Sequence, residues 1–159
     1  MKPPARAVVS NELKLPLPAD RLVPHRPPLL LIDKLVEVTE DGAVVEAQMK
    51  ETNPLVDETG RVDPLVFLEI MAQAYAAAKG YRDLLNGQIP GKGFLVGIRN
   101  FRVSDGARVG DTLHVSVRTV ASIGGFSVAG TSVAKAGVTI SSAELKLWVP
   151  EGGAEGEGP

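Results

Sequence analysis

The sequence predicts an α+β fold in which one antiparallel β-sheet wraps around a long central helix. Two observations predict it. The stretch from Pro64 to Leu85 is built of good helix formers and is apolar on nearly every side, and the chain before and after it reads as short alternating strands. A helix without a solvated face has to be enclosed, and strands are what this chain has to enclose it with.

Taken in order, the elements begin after an extended N-terminal segment, residues 1–19. Four prolines among the first eighteen residues resist both helix and central strand there. Residues 20–149 are expected to hold the folded domain, and residues 150–159 a flexible acidic tail rich in glycine. Leu29 to Thr39 reads as a strand, apolar and then alternating through Leu35-Val36-Glu37-Val38. Asp41-Gly42 is a tight-turn signal, and Val45, Ala47 and Met49 alternate after it, which completes a β-hairpin. Asp63 supplies an N-cap side chain, Pro64 suits the first helical turn, and the helix continues to an Asn86-Gly87 stop. Four further strands follow in GFLVGIRNFRV, TLHVSVRTV, FSVAGTSVAKA and VTISSAELKLWV, the second and third joined by a turn at Gly124-Gly125.

The 159 residues are 44% hydrophobic and 23% charged, ordinary for one soluble globular domain, and the formal charge of -2 offers no field for a polyanion. Nucleic acid is therefore not an expected partner. The absence of cysteine removes disulfides, thiolate metal sites and cysteine nucleophiles, and fits a reducing cytoplasm. No signal-peptide-like or membrane-spanning apolar run is present, so a cytoplasmic protein without membrane association is expected. Phosphate loops, nucleophile elbows and metal-spaced histidine pairs are all missing, and neither a metal nor a cofactor is expected.

Glu69 is the most informative residue, because a carboxylate within Leu, Val, Phe, Ile, Met and Ala is costly unless it is paired or protonated. An apolar surrounding keeps a carboxyl protonated, which suits a general acid. Gln73, one turn on and on the same face, could orient that carboxyl or contact a ligand. Of the two histidines, His114 alternates with Leu113, Val115 and Val117 and belongs on a solvated strand face. His25 sits in Val23-Pro24-His25-Arg26-Pro27-Pro28, where it could face a site as a base or pin the segment by a hydrogen bond. Arg26 and Asp33 read as structural.

Three segments carry a resemblance. VPHRPPLLLIDKLVEV, LEIMAQAYAA and GFLVGIRNFRVSDGARVGDTLHVSV, in this order over residues 22–118, resemble the hotdog-fold 3-hydroxyacyl-acyl-carrier-protein dehydratases, and most of all the divergent branch associated with aryl-polyene biosynthesis. The resemblance implies a hotdog fold, a lyase acting on 3-hydroxyacyl thioesters of acyl carrier protein or coenzyme A, and a homodimer, a heterodimer with another hotdog protein or a higher oligomer. In such enzymes a histidine removes the C2 proton, a helix carboxylate protonates the departing C3 hydroxyl, and backbone N–H groups polarise the thioester carbonyl. Glu69 matches the acid. Fourteen positions before it, where the family has its catalytic histidine, this chain has Leu55, and the glycine at the family's helix start is Pro64 here. The N–H of Leu65 or a strand amide near Gly93 would then face the thioester, with Phe94 beside it in the binding site, and His25 becomes the candidate base. A half-site subunit that completes another dehydratase, and an acyl thioesterase, are the competing readings.

Overall fold

In the computed structural model, which describes residues 13–150, seven strands form one antiparallel sheet around one long helix. β1 (Leu17–Pro18), a 3₁₀ turn (Ala19–Arg21), β2 (Lys34–Val38) and β3 (Gly42–Gln48) precede helix α1 (Leu65–Leu85). β4 (Phe94–Val103), β5 (Thr112–Ile123), β6 (Phe126–Lys135) and β7 (Val138–Trp148) follow it. Across the sheet the order is β1-β2-β3-β5-β6-β7-β4. The β3–β5 pairing, from Gly42 opposite Arg118 to Gln48 opposite Thr112, fuses the early hairpin with the late strands, as the α+β prediction requires.

Period-two patterning decides which strand face meets the helix. Leu113, Val115 and Val117 of β5, Ala129 and Val133 of β6, and Leu145 and Leu147 of β7 are buried, while His114, Ser116 and Arg118 face outward. Gly124 and Gly125, at φ 56° and 83°, make the two-residue β5–β6 loop, a turn that needs positive φ at both positions.

At the start of α1 the carboxylate of Asp63 accepts the Leu65 N–H at 2.8 Å, and Pro64 is already helical at φ -57° and ψ -21°. Val66, Phe67, Ile70, Met71, Ala74, Ala77 and Ala78 are buried, packed by β2, β3, β5, β6 and β7. Burying a side chain such as Phe67 contributes about 1.5–3 kcal/mol.

Enclosure on every side is not what the chain achieves. Leu65 is 57% exposed, Glu69 is exposed, and Leu68, Ala72 and Ala76 are half-buried. These positions follow one another at helical spacing, so they form a single stripe that the chain's own sheet does not reach.

Two further expectations change. The strand expected from Leu29 is confined to Lys34–Val38, because the N–H groups of Leu29 and Leu30 both turn back to the Arg26 carbonyl and that of Leu31 bonds to a helix side chain. A backbone so engaged cannot join a ladder. Within the segment assigned to the N-terminal extension, Leu13, Leu17 and Ala19 are buried, and Leu17–Pro18 pair with β2 at the sheet edge. Residues 1–12 and 151–159, with most of the acidic tail, lie outside the described residues.

Candidate active site

The site is built from the first turns of α1 and the loop that precedes β2. Gln73 is 1% exposed and uses its whole amide: Oε1 accepts the Leu31 N–H at 2.9 Å, and Nε2 donates to the Leu29 carbonyl at 2.8 Å and to Oε1 of Glu69 at 2.8 Å. One buried side chain thus fixes both the carboxylate one turn earlier and the loop that packs beside it. Both amide hydrogens are engaged within the chain, one of them by the Glu69 carboxylate.

Gly80 sets where that loop lies. A Cβ there would stand 2.2 Å from the carbonyl oxygen of Leu22, so only glycine lets the Leu22 backbone rest on the helix. Four residues on, the guanidinium of Arg26 closes the turn by donating to the carbonyls of Val23 at 3.0 Å and His25 at 2.7 Å. The outcome is that His25 Nε2 faces Glu69 Oε1 at 3.8 Å, with the two side chains 33% and 47% exposed. His25 Nδ1 is buried and has no hydrogen-bond partner among the described residues.

Glu69 is therefore not the fully buried, unpartnered carboxylate expected from its apolar neighbours in sequence. Val66, Phe67, Ile70 and Met71 point into the core, while Glu69 lies with Leu65, Leu68 and Ala72 on the open stripe. His25 and Glu69, which sequence reasoning connected only by inference, are brought together.

The other candidates are dispersed. The Leu65 N–H, one expected oxyanion donor, is already engaged by Asp63, although the Leu65 side chain lies on the open stripe one turn before Glu69. Gly93 and Phe94 lie against Trp148 and Val149, the Phe94 and Trp148 rings being 5.8 Å apart. Two residues earlier Gly91 donates to Asp83, which is fourteen residues beyond Glu69 and roughly 20 Å along the helix axis. Within one chain, then, Gly93 and Phe94 do not converge with the carboxylate.

Leu55 has a fixed place without any base chemistry. Its N–H donates to Asn53 Oδ1 at 2.9 Å and its carbonyl accepts the Asp63 N–H at 2.9 Å, which holds it beside the helix cap. The turn that follows is tied by Asp57, whose carboxyl the Thr59 hydroxyl and then the Arg61 N–H hold below the usual carboxylate range. Asp33 accepts the Gln48 N–H and pairs with Lys50, and His114 faces Glu46 at 3.6 Å on the outer side of the sheet, so both are structural. Among the described residues no group of three His, Asp or Glu could hold a metal ion, and no described helix is long and apolar enough to cross a membrane.

What sequence reasoning missed is the partnership of Gln73 with Leu29 and Leu31, and the role of Gly80. The available signal was a glutamine on an otherwise apolar helix face and a glycine in a helix interior, each of which needs a local reason.

Known proteins resemble this chain in sequence and in fold. The 3-hydroxyacyl-[acyl-carrier-protein] dehydratase FabZ of Clostridium perfringens (strain SM101 / Type A) is 29% identical over 114 residues, 69% of this chain and 76% of that protein. Among solved structures, the dehydratase heterocomplex ApeI:P from Xenorhabdus doucetiae matches with a TM-score of 0.79 at 20% identity, covering 85% of this chain and 92% of that one. The PaaI protein of the E. coli phenylacetic acid degradation operon matches at 0.58 and 13% identity, covering 72% and 81%. At these identities the structures establish the fold, which is the hotdog. The model of the ApeP-like family, described as ApeP dehydratase, matches residues 17–156. That match takes in every strand and the helix bearing the oriented carboxylate, and by it the chain belongs to the ApeP-like dehydratase family.

Proposed function

We propose that the protein dehydrates 3-hydroxyacyl thioesters carried by acyl carrier protein, in fatty-acid or polyene biosynthesis, with Glu69 as general acid. The observation that carries this reading is the Gln73-oriented Glu69 on an open helix stripe, in a chain of a dehydratase family and similar to FabZ. In the reaction a base takes the proton from C2, the C2–C3 double bond forms, and the C3–O bond breaks as Glu69 gives its proton to the departing hydroxyl, which leaves as water. Gln73 engages Oε1 of Glu69, so Oε2 is the oxygen presented to that hydroxyl.

The base is either His25 or a residue of a second protomer, since the backbone beside the helix cap carries Leu55. A second hotdog chain, identical or different, would cover the stripe of Leu65, Leu68, Glu69 and Ala72 and bring its own groups to Glu69. The ApeI:P heterocomplex supports a heterotypic pair. A cytoplasmic location goes with an acyl-carrier-protein substrate.

The test is Glu69→Gln, which keeps the volume and the hydrogen-bonding capacity of a protonated carboxyl but has no proton to deliver. Incubation with a 3-hydroxyacyl thioester, with the chain alone and with any co-encoded dehydratase, should show dehydration falling by about 10²-fold or more. Full activity of the variant in both settings would refute the assignment. Release of free acid in place of an enoyl product would identify a thioesterase.

A further inference from the structure

The two ring nitrogens of His25 have opposite surroundings. Nδ1 is buried without a hydrogen-bond partner among the described residues, and Nε2 lies 3.8 Å from Oε1 of Glu69. A neutral imidazole has one proton to place. On Nδ1 it would be a buried donor with nothing to accept it, and the lone pair of Nε2 would be turned toward a carboxyl oxygen. On Nε2 it points an N–H at that oxygen and leaves only a lone pair inside, and orphaned buried acceptors are tolerated better than orphaned donors. Both ends of the ring select the same tautomer.

From this, and resting on the dehydratase reading above, we infer that His25 is a positioning residue that keeps its proton on Nε2 and holds Glu69, and that it is not the base. A base needs its lone pair facing the C2 proton, whereas here the free lone pair is on Nδ1, inside the protein. Taking a proton at Nε2 instead would require Nδ1–H to have an acceptor, and none of the described residues provides one there. Glu69 Oε1 is thus hydrogen-bonded by Gln73 and faced by His25, so the chain delivers an oriented acid. With His25 excluded, the source of the base that the proposed function leaves is a second protomer.

Two measurements test this. The full chain labelled with ¹⁵N-histidine and carrying His114→Gln has one histidine left, and the shifts of its two ring nitrogens report where the proton is. The inference expects it on Nε2; a proton on Nδ1 overturns it. This readout needs no turnover, so it stands even if the dehydratase reading fails. In the assembly that turns over a 3-hydroxyacyl thioester, His25→Ala should lower kcat by about tenfold with KM little changed. His25→Gln, whose amide can donate where Nε2–H does, should recover most of that loss. A loss of about 10²-fold or more in both variants, the contribution typical of a positioned base, would make His25 the base and overturn the inference.

Discussion

Replacing Gln73 by Leu separates the architecture of the site from its chemistry. The substitution keeps a buried apolar volume but strips three groups of a partner: the Leu31 N–H, the Leu29 carbonyl and Glu69 Oε1. The first two are part-buried backbone groups that water reaches poorly, and leaving each unpaired costs about 1–3 kcal/mol. Allowing for partial access, the sum is about 2–4 kcal/mol, a large share of the roughly 5–15 kcal/mol that a domain has. For a domain of this size that corresponds to a fall in Tm of roughly 6–15 °C by circular dichroism. Glu69→Gln should barely move the melt by comparison, since that side chain is 47% exposed. If Gln73→Leu melts within about 2 °C of the parent, the loop is not held by this amide and the argument for an oriented Glu69 fails with it.

Two other substitutions probe backbone features on which the site and sheet depend. Gly80→Ala forces a Cβ to 2.2 Å from the Leu22 carbonyl oxygen, so despite alanine's better helix propensity it should destabilise by about 1–3 kcal/mol, and an increase in Tm would show that the Leu22 segment moves freely. Ala136→Asn should do the opposite: Ala136 sits at φ 50° in the β6–β7 turn before Gly137, where asparagine is at ease, and a gain of about 0.5–1 kcal/mol in chemical denaturation is expected; no gain would mean that the turn relaxes in solution.

How much of this was legible in the sequence depends on whether the deciding interactions are local. The helix and the alternation of β5 were readable because the period of apolar residues is a local property: Asp63 caps α1 as expected and Leu113, Val115 and Val117 face inward. The strand expected at Leu29 failed because its backbone is engaged by Gln73, forty-four positions away, a pairing that composition does not encode. Glu69 was found for a partly mistaken reason. Its sequence neighbours are apolar, but they surround it along the chain rather than in space, and the helix turns it to the uncovered stripe. Gly93 and Phe94 were chosen by position in a motif and lie far along the helix axis from Glu69. In the proposed assembly it is a second chain that would bring such groups to the carboxylate.

The proposed second chain would favour one place to attach, and the two edges of the sheet differ in what they offer it. β1 is two residues long and ends in proline, so its edge offers almost no ladder to a partner. β4, at the other edge, is ten residues long, and Phe94, Leu95, Val96, Ile98 and Val103 on it are all exposed. A long apolar edge of this kind is a liability unless it is covered, so pairing should run through β4. Placing lysine at both Val96 and Ile98 sets like charges where two protomers would meet, and replaces apolar contact surface, without touching the buried core. Light scattering should then report the mass of one chain, where the parent reports a multiple of it. If the doubly substituted protein also loses dehydration while Glu69, Gln73 and His25 are unchanged, the site is completed across the interface. An unaltered assembly mass would place the contact elsewhere, and a monomer with full turnover would show that one chain holds every catalytic group.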